Sequence, residues 1–142
     1  MSISARNAIK GKITAIVNGV VNAEVEITTP GGDKIVSIVT EGGIQSLGLT
    51  VGMEAIAYVK APWVIVLAGE TNVRFSARNQ LEGKISSLTK GAVNSEVGIT
   101  LAGGTVIYAI ITNEAVLELG LKHGSPATAL IKASHAILGV LS

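Results

Sequence analysis

The chain has no cysteine, three prolines, few aromatic side chains and charged residues at only 15% of its 142 positions. Each scarcity excludes something. Without cysteine there is neither a disulfide framework nor a thiolate metal site. At a net charge of +1, with no basic tail and no block of like charge, the concentrated positive field that non-specific nucleic-acid binding draws on is missing. No uninterrupted apolar run reaches membrane-spanning length, and the start, Met-Ser-Ile-Ser-Ala-Arg-Asn, lacks the apolar core of a signal peptide. The expectation is a cytoplasmic protein with no membrane partner. His123 and His135 are the only histidines, and no nucleophile–base grouping or paired carboxylate accompanies them, so an enzyme is not expected.

What is present is a repetition. Ser4-Ala5-Arg6-Asn7 returns as Ser76-Ala77-Arg78-Asn79, and an ungapped offset of 72 residues keeps the two halves in phase with about two identities in five. The chain is a tandem duplication, read as one domain over 1–69 and a second over 73–142. Modules of about 70 residues are marginal alone. With 48% hydrophobic residues, each half is expected to bury apolar surface against its twin or other copies.

The duplication also shows which polar residues persist. Six of eleven basic residues form matched pairs, Arg6/Arg78, Lys12/Lys84 and Lys60/Lys132, whereas of ten carboxylates only Glu24/Glu96 do. Asn7/Asn79, Asn22/Asn94, Ser4/Ser76 and Thr40/Thr112 persist beside them. Hydrogen-bond donors and positive charge suit an anion better than a metal cation, so no direct cation ligands are expected.

Within each half the pattern is that of short strands. Residues 9–17 alternate imperfectly up to Asn18-Gly19, a hairpin signal, and 21–29 alternate with Val21, Ala23, Val25 and Ile27 on one face. Pro30-Gly31-Gly32-Asp33 is a turn, and 34–40 a third strand. Residues 41–49 hold a short helix weakened by Gly42-Gly43; its counterpart from Asn113 is stronger, with Asn113 as N-cap and Gly48 and Gly120 as stops. Strands over 54–60 and 64–67 and a polar hinge over 69–72 complete the plan, which repeats from Val73. Three strands, a helix and two strands is the order of an OB-fold. The fold class is all-β with one short helix per repeat, as tandem OB-like five-stranded Greek-key barrels.

Two repeated boxes carry the chemistry. In the Ser-Ala-Arg-Asn box, an extended backbone turns Ser4 and Arg6 to one face, where a hydroxyl and a planar guanidinium fork suit a tetrahedral oxyanion; Ser and Asn also read simply as turn formers beside a surface arginine. Lys60-Ala61 and Lys132-Ala133 end the fourth strands, each pairing a cation with a residue small enough for close approach of a ligand to the backbone. Thr40 and Thr112 stand where the third strand meets the helix, placed equally well to cap it or to meet an anion. The second box is Gly19-Val-Val-Asn22-Ala23-Glu24-Val25 with Gly91-Ala-Val-Asn94-Ser95-Glu96-Val97. Its asparagines suit hairpin backbone groups, and Glu24 and Glu96 read as solvent-facing strand residues or oligomer contacts.

These boxes, together with Ile-Val-Thr, Leu-Gly-Leu and Val-Lys-Ala-Pro-Trp in order, resemble the Mop, or molbindin, domain, and the duplicated arrangement resembles the di-Mop molbindins over essentially the whole chain. The resemblance implies an OB-like barrel that assembles as a homotrimer about a three-fold axis and binds molybdate, often tungstate too, at subunit interfaces. It implies inter-module sites from Ser4, Ala5, Arg6, Lys60 and Ala61 with Thr40 of a neighbouring module, and from Ser76, Ala77, Arg78, Lys132, Ala133 and Ser134 with Thr112. It further implies sites near the axis at Val21, Asn22 and Ala23 and at Val93, Asn94 and Ser95. The two halves depart from each other where Pro62-Trp63 becomes Ser134-His135. Molybdate is a tetrahedral dianion that accepts hydrogen bonds and donates none, so a donor-only pocket fits it.

Other functions compete less well. An oligonucleotide-binding OB module would stack bases on aromatics, but Tyr58, Trp63, Phe75 and Tyr108 do not recur at matching positions. A molybdate-responsive regulator or transporter ATPase would need a DNA-binding helix pair or a phosphate-binding glycine loop, and neither is expected here, although action through a partner stays open.

Overall fold

The computed structural model describes residues 3–141 and consists of ten strands and two short helices. The first repeat contributes β1 (Asn7–Asn18), β2 (Asn22–Thr28), β3 (Lys34–Thr40), α1 (Glu41–Leu47), β4 (Glu54–Val59) and β5 (Ile65–Ala68). The second contributes β6 (Asn79–Lys90), β7 (Asn94–Leu101), β8 (Val106–Thr112), α2 (Asn113–Leu119), β9 (Pro126–Ile131) and β10 (Ile137–Gly139). A single 3-10 turn follows β4 at Ala61–Trp63 and β9 at Ala133–His135.

Local chemistry accounts for these elements. β1 alternates buried and exposed residues from Asn7 to Thr14, then shifts register between Ile13 and Ala15, and β6 shifts at the equivalent point between Ile85 and Ser87. An extra residue there bends a long strand so that one end can pair with β2 and the other with β4. Both helices start on a threonine: the Thr40 hydroxyl accepts from the Gly43 N–H, and the Thr112 hydroxyl accepts from the Ala115 N–H. The expected N-cap Asn113 is instead the first helical residue, because Thr112 already has the extended backbone a cap requires. Gly42-Gly43 does not abolish α1, since this cap and the left-handed Gly48 (φ 63°) close both of its ends. In β2, Ala23, Val25 and Ile27 are buried as the alternation predicts, whereas Val21 lies outside the strand and is exposed.

The sheets do not follow the repeat boundary. One has the order β10-β4-β1-β2-β3 and the other β5-β9-β6-β7-β8, all neighbours antiparallel. Each repeat thus gives its last strand to the other: Ile137 pairs with Tyr58, and Ile65 with Leu130. Five strands form a curled antiparallel sheet in each unit, with the short helix lying against β2 and β3 or against β7 and β8, as the OB-like reading requires. The apolar interior is a single cluster that includes Ile13, Ile27 and Ile35 of the first repeat and Ile85, Ile99 and Ile107 of the second.

On the free edges of β3 and β8 one residue each is clipped by the opposite repeat. Asn79 Oδ1 accepts from the Val36 N–H at 2.7 Å and its Nδ2 donates to the Val36 carbonyl at 2.8 Å. Asn7 does the same to Tyr108, at 2.7 and 2.8 Å, and also donates to the Val59 carbonyl. A carboxamide presents one donor and one acceptor side by side, which is what an unpaired strand residue needs. Both asparagines are almost fully buried, at 2% and 3% exposure. They are therefore clips between the repeats, not the turn formers the sequence suggested. The Ser37 hydroxyl adds a bond to the Ala136 carbonyl.

A second clasp joins the β2–β3 and β7–β8 turns. Gly31 packs so closely on Gly103 that a Cβ there would sit 2.0 Å from the Gly103 carbonyl oxygen. Asp33 accepts from the backbone N–H of Gly103 at 2.8 Å and of Thr105 at 3.1 Å. Partial burial pushes the Asp33 carboxyl up, but the hydrogen bonds from Thr105 and Gly103 outweigh it and hold the group below its ordinary range. A depressed folded-state pKa contributes stability above the unfolded value of about 3.9, and that contribution is lost as pH falls through the folded value. Asp33→Asn is accordingly expected to unfold at lower urea than the parent at pH 7, the gap narrowing below about pH 4; a gap independent of pH would remove the carboxylate from this role.

Candidate oxyanion site

The ladder between β1 and β4 ends at Asn7 opposite Val59, which puts Arg6 and Lys60 side by side just beyond it. Asn79 opposite Ile131 does the same for Arg78 and Lys132. The buried asparagine clip thus fixes the backbone from which each arginine projects. Around the second box lies an open cleft of about 470 Å³ lined by Ser76, Ala77, Arg78, Lys132, Ala133 and Ser134. Its apolar wall includes Ile38 and Trp63 from the first repeat and Phe75 and His135 from the second. Six of the residues expected for the second inter-module site therefore meet in one place.

The arginines do not stand free. Arg78 Nε donates to Glu24 Oε2 at 2.7 Å, and Arg6 donates from Nε and Nη2 to both Glu96 oxygens at 3.2 and 3.3 Å. Arg6 also lies over the Tyr108 ring, 3.6 Å from its centroid. Hydrogen bonding to Glu96 raises Arg6 above the ordinary arginine range, against opposing desolvation and with a smaller contribution from Tyr108. Glu24 and Glu96 are thus arginine partners across the repeats as well as partly exposed strand residues. Their signal in the sequence was present: the one carboxylate pair that survived duplication partners an arginine pair that also survived. Both pairs are substantially exposed, with Arg6 at 47% and Arg78 at 58%. Such pairs are worth about 0–1 kcal/mol, so a dianion that gathers an arginine, a lysine and hydroxyl donors can displace the carboxylate.

Thr40 and Thr112 stand elsewhere. They pair with Asn22 and Asn94 across β2–β3 and β7–β8, cap their helices, and do not line the Arg78 cleft. The second box forms the β1–β2 and β6–β7 hairpin ends, closed by Gly19 N–H to the Asn22 carbonyl and Gly91 N–H to the Asn94 carbonyl, each 2.8 Å. Val21 and Val93 beside them are about 70% and 69% exposed, apolar side chains directed outward at equivalent points of both repeats. Asn22 and Asn94 are exposed, whereas Ala23 and Ser95 are buried. Ser95 donates to Asn113 Oδ1 at 2.6 Å, and Asn113 Nδ2 donates to the Gly91 carbonyl.

Of the aromatics, Trp63 stacks on His135 with ring centroids 4.7 Å apart, and these are the same position in the two repeats. Tyr108 is covered by Arg6. Among the described residues no group of three or more His, Cys, Asp or Glu side chains is placed to hold a metal ion, and no helix is long and apolar enough to cross a membrane.

Comparison with known proteins agrees with this fold. The TOBE domain model matches residues 3–66 and again 76–138. A solved structure of the cytoplasmic molybdate-binding protein ModG with molybdate bound is 51% identical, covers 99% of this chain and all of its own, and superposes with a TM-score of 0.93. The molybdenum-pterin-binding protein MopA of Rhodobacter capsulatus is 40% identical over 99% of this chain and 53% of its own length. Molybdenum-pterin-binding protein 3 of Clostridium pasteurianum is 47% identical over its whole length and 48% of this chain, a single repeat. The chain spans about half the length of the longer curated relatives that it matches from end to end. Two TOBE matches in tandem, on two OB-like units in register with the duplicated boxes, establish that this chain belongs to the TOBE-domain family as a di-Mop molbindin.

Proposed function

We propose that this chain binds molybdate, and tungstate by the same chemistry, and stores the oxyanion in the cytoplasm without transforming it. The observation that carries the reading is the Arg78 cleft, where a guanidinium, an ammonium and two hydroxyls converge over an apolar wall. Every one of those groups donates hydrogen bonds, and the carboxylate that Arg78 holds belongs to an exposed ion pair. ModG, with the same tandem plan, is described as cytoplasmic and carries molybdate.

The inter-module sites of this proposal use Ser4, Ala5, Arg6, Lys60 and Ala61, and Ser76, Ala77, Arg78, Lys132, Ala133 and Ser134. Thr40 and Thr112 come from neighbouring copies, which accounts for their distance from the cleft within one chain. The axial sites use Val21, Asn22 and Ala23 and Val93, Asn94 and Ser95, where exposed valines suit contact between copies. Three copies about a three-fold axis bring these elements together.

Calorimetric titration with molybdate, with sulfate and phosphate as controls and light scattering for the mass, tests the reading. Expected are saturable binding of more than one molybdate per chain, little heat from either control, and the mass of three chains. A folded protein that binds no molybdate overturns it. Arg6→Ala with Arg78→Ala is expected to weaken inter-module binding by about 10- to 100-fold, the equivalent of one charge-assisted hydrogen bond per site, with an unchanged circular dichroism spectrum.

A further inference from the structure

The two arginine boxes are related by the duplication, yet their surroundings differ. In the first repeat both cations lie against aromatic rings: Arg6 over Tyr108, and Lys60 Nζ 5.5 Å from the centroid of Trp63. Among the described residues neither Arg78 nor Lys132 has such a ring. The reason is in the sequence. Val36 occupies the position equivalent to Tyr108, and His135 the position equivalent to Trp63. Hydrogen bonding to the carboxylate differs as well: Arg6 gives two bonds to Glu96, at 3.2 and 3.3 Å, and Arg78 a single shorter one to Glu24, at 2.7 Å. Beyond the lysine, the second box offers the Ser134 hydroxyl and backbone N–H where the first has Pro62, which has no N–H to give.

An oxyanion arriving at Arg6 must therefore detach the guanidinium from a ring and from both carboxylate oxygens. At Arg78 it breaks a single bond and finds an additional donor. We propose that the two repeats hold inter-module oxyanion sites of unequal affinity, filled second repeat first, and that Tyr108 sets the difference by holding Arg6 against Glu96. This rests on reading both boxes as oxyanion sites. The ring contact alone corresponds to about two- to five-fold in affinity at an exposed position, and with the additional donor at Ser134 the separation is expected to reach about ten-fold.

Tyr108 is well suited to test this, because the Asn7 clip holds its backbone and not its side chain. Calorimetry with molybdate on the whole protein should resolve a tighter class of sites that Arg78→Ala removes and a weaker class that Arg6→Ala removes. Tyr108→Val, which installs the residue of the first repeat, should tighten the weaker class about five-fold and leave the Arg78 class within two-fold. Glu96→Gln releases Arg6 without changing side-chain volume and should act in the same direction, so the inference survives or falls even if Tyr108→Val misfolds. Indistinguishable classes in the parent, or a weaker class unmoved in folded Tyr108→Val and Glu96→Gln, overturns it. If neither arginine variant alters molybdate binding, the boxes are not oxyanion sites, and it is the reading of the boxes that fails.

Discussion

The first repeat expressed by itself, residues 1–72, is expected not to form a folded monomer. Its sheet would lack β10, which pairs with β4 through Ile137, Leu138 and Gly139. Its own β5 would have no partner, because in the intact chain that strand pairs with β9. The edge of β3 would lose the Asn79 clip, and the turn at Gly31 would lose the partner turn that Asp33 holds. Half of a continuous apolar cluster would face water. A module of this size has little stability to spare, and these losses fall on backbone bonds and core burial together. The one escape is for two fragments to exchange last strands with each other, which restores every contact at the cost of association. Light scattering and circular dichroism over a range of concentrations should then show a folded dimer in equilibrium with unfolded chain, the melting midpoint rising with concentration. A folded monomer with a midpoint independent of concentration would contradict the exchange. By the same logic the intact protein cleaved within residues 69–74 should keep its two pieces together.

Asn79→Ala is the point substitution expected to cost most. The side chain is 3% exposed and satisfies both backbone groups of Val36, which is itself buried on the sheet edge. Alanine leaves one N–H and one C=O without partners where water does not reach, at about 1–3 kcal/mol each, so a loss of about 3–5 kcal/mol is expected. That is a large part of the 5–15 kcal/mol typical of a whole domain. Asn79→Asp is no rescue, since it retains the acceptor but removes the donor and buries a charge. The control is Asn22→Ala, an asparagine equally preserved between the repeats but exposed at a hairpin end, where a change of about 0.5 kcal/mol or less is expected. Urea midpoints measured at constant m-value separate the two. Equal effects at both positions would mean that the clip contributes nothing beyond an ordinary surface amide.

These two expectations mark the limit of what could be read from the chain alone. Alternation along 21–29, the threonines ahead of each helix and the glycines behind are local signals, and each element formed close to where its residues placed it. The duplication reached further. It singled out Arg6, Arg78, Lys60 and Lys132 before any geometry was known, and the ladders that end at Asn7 and Asn79 set each arginine beside its lysine. It also preserved Asn7, Asn79, Glu24 and Glu96 without disclosing their tasks, because a role shared by both halves looks the same whether it serves a ligand or the other half. Only the folded chain separated the buried clips from the exposed asparagines of the hairpins.

The sequence by itself determined the repeat, the order of strands and helix, the inward face of β2, and the donor-rich boxes, all of which depend on residue type and spacing. The tertiary structure alone decided which sheet each last strand joins, which carboxylate meets which arginine, and why Tyr108 makes one box unlike its twin. Alternation tells a strand which face to bury but not whom to pair with, since the N–H and C=O groups that form a ladder are the same in every residue but proline. Partner choice rests on which edge lies within reach once the two halves have packed.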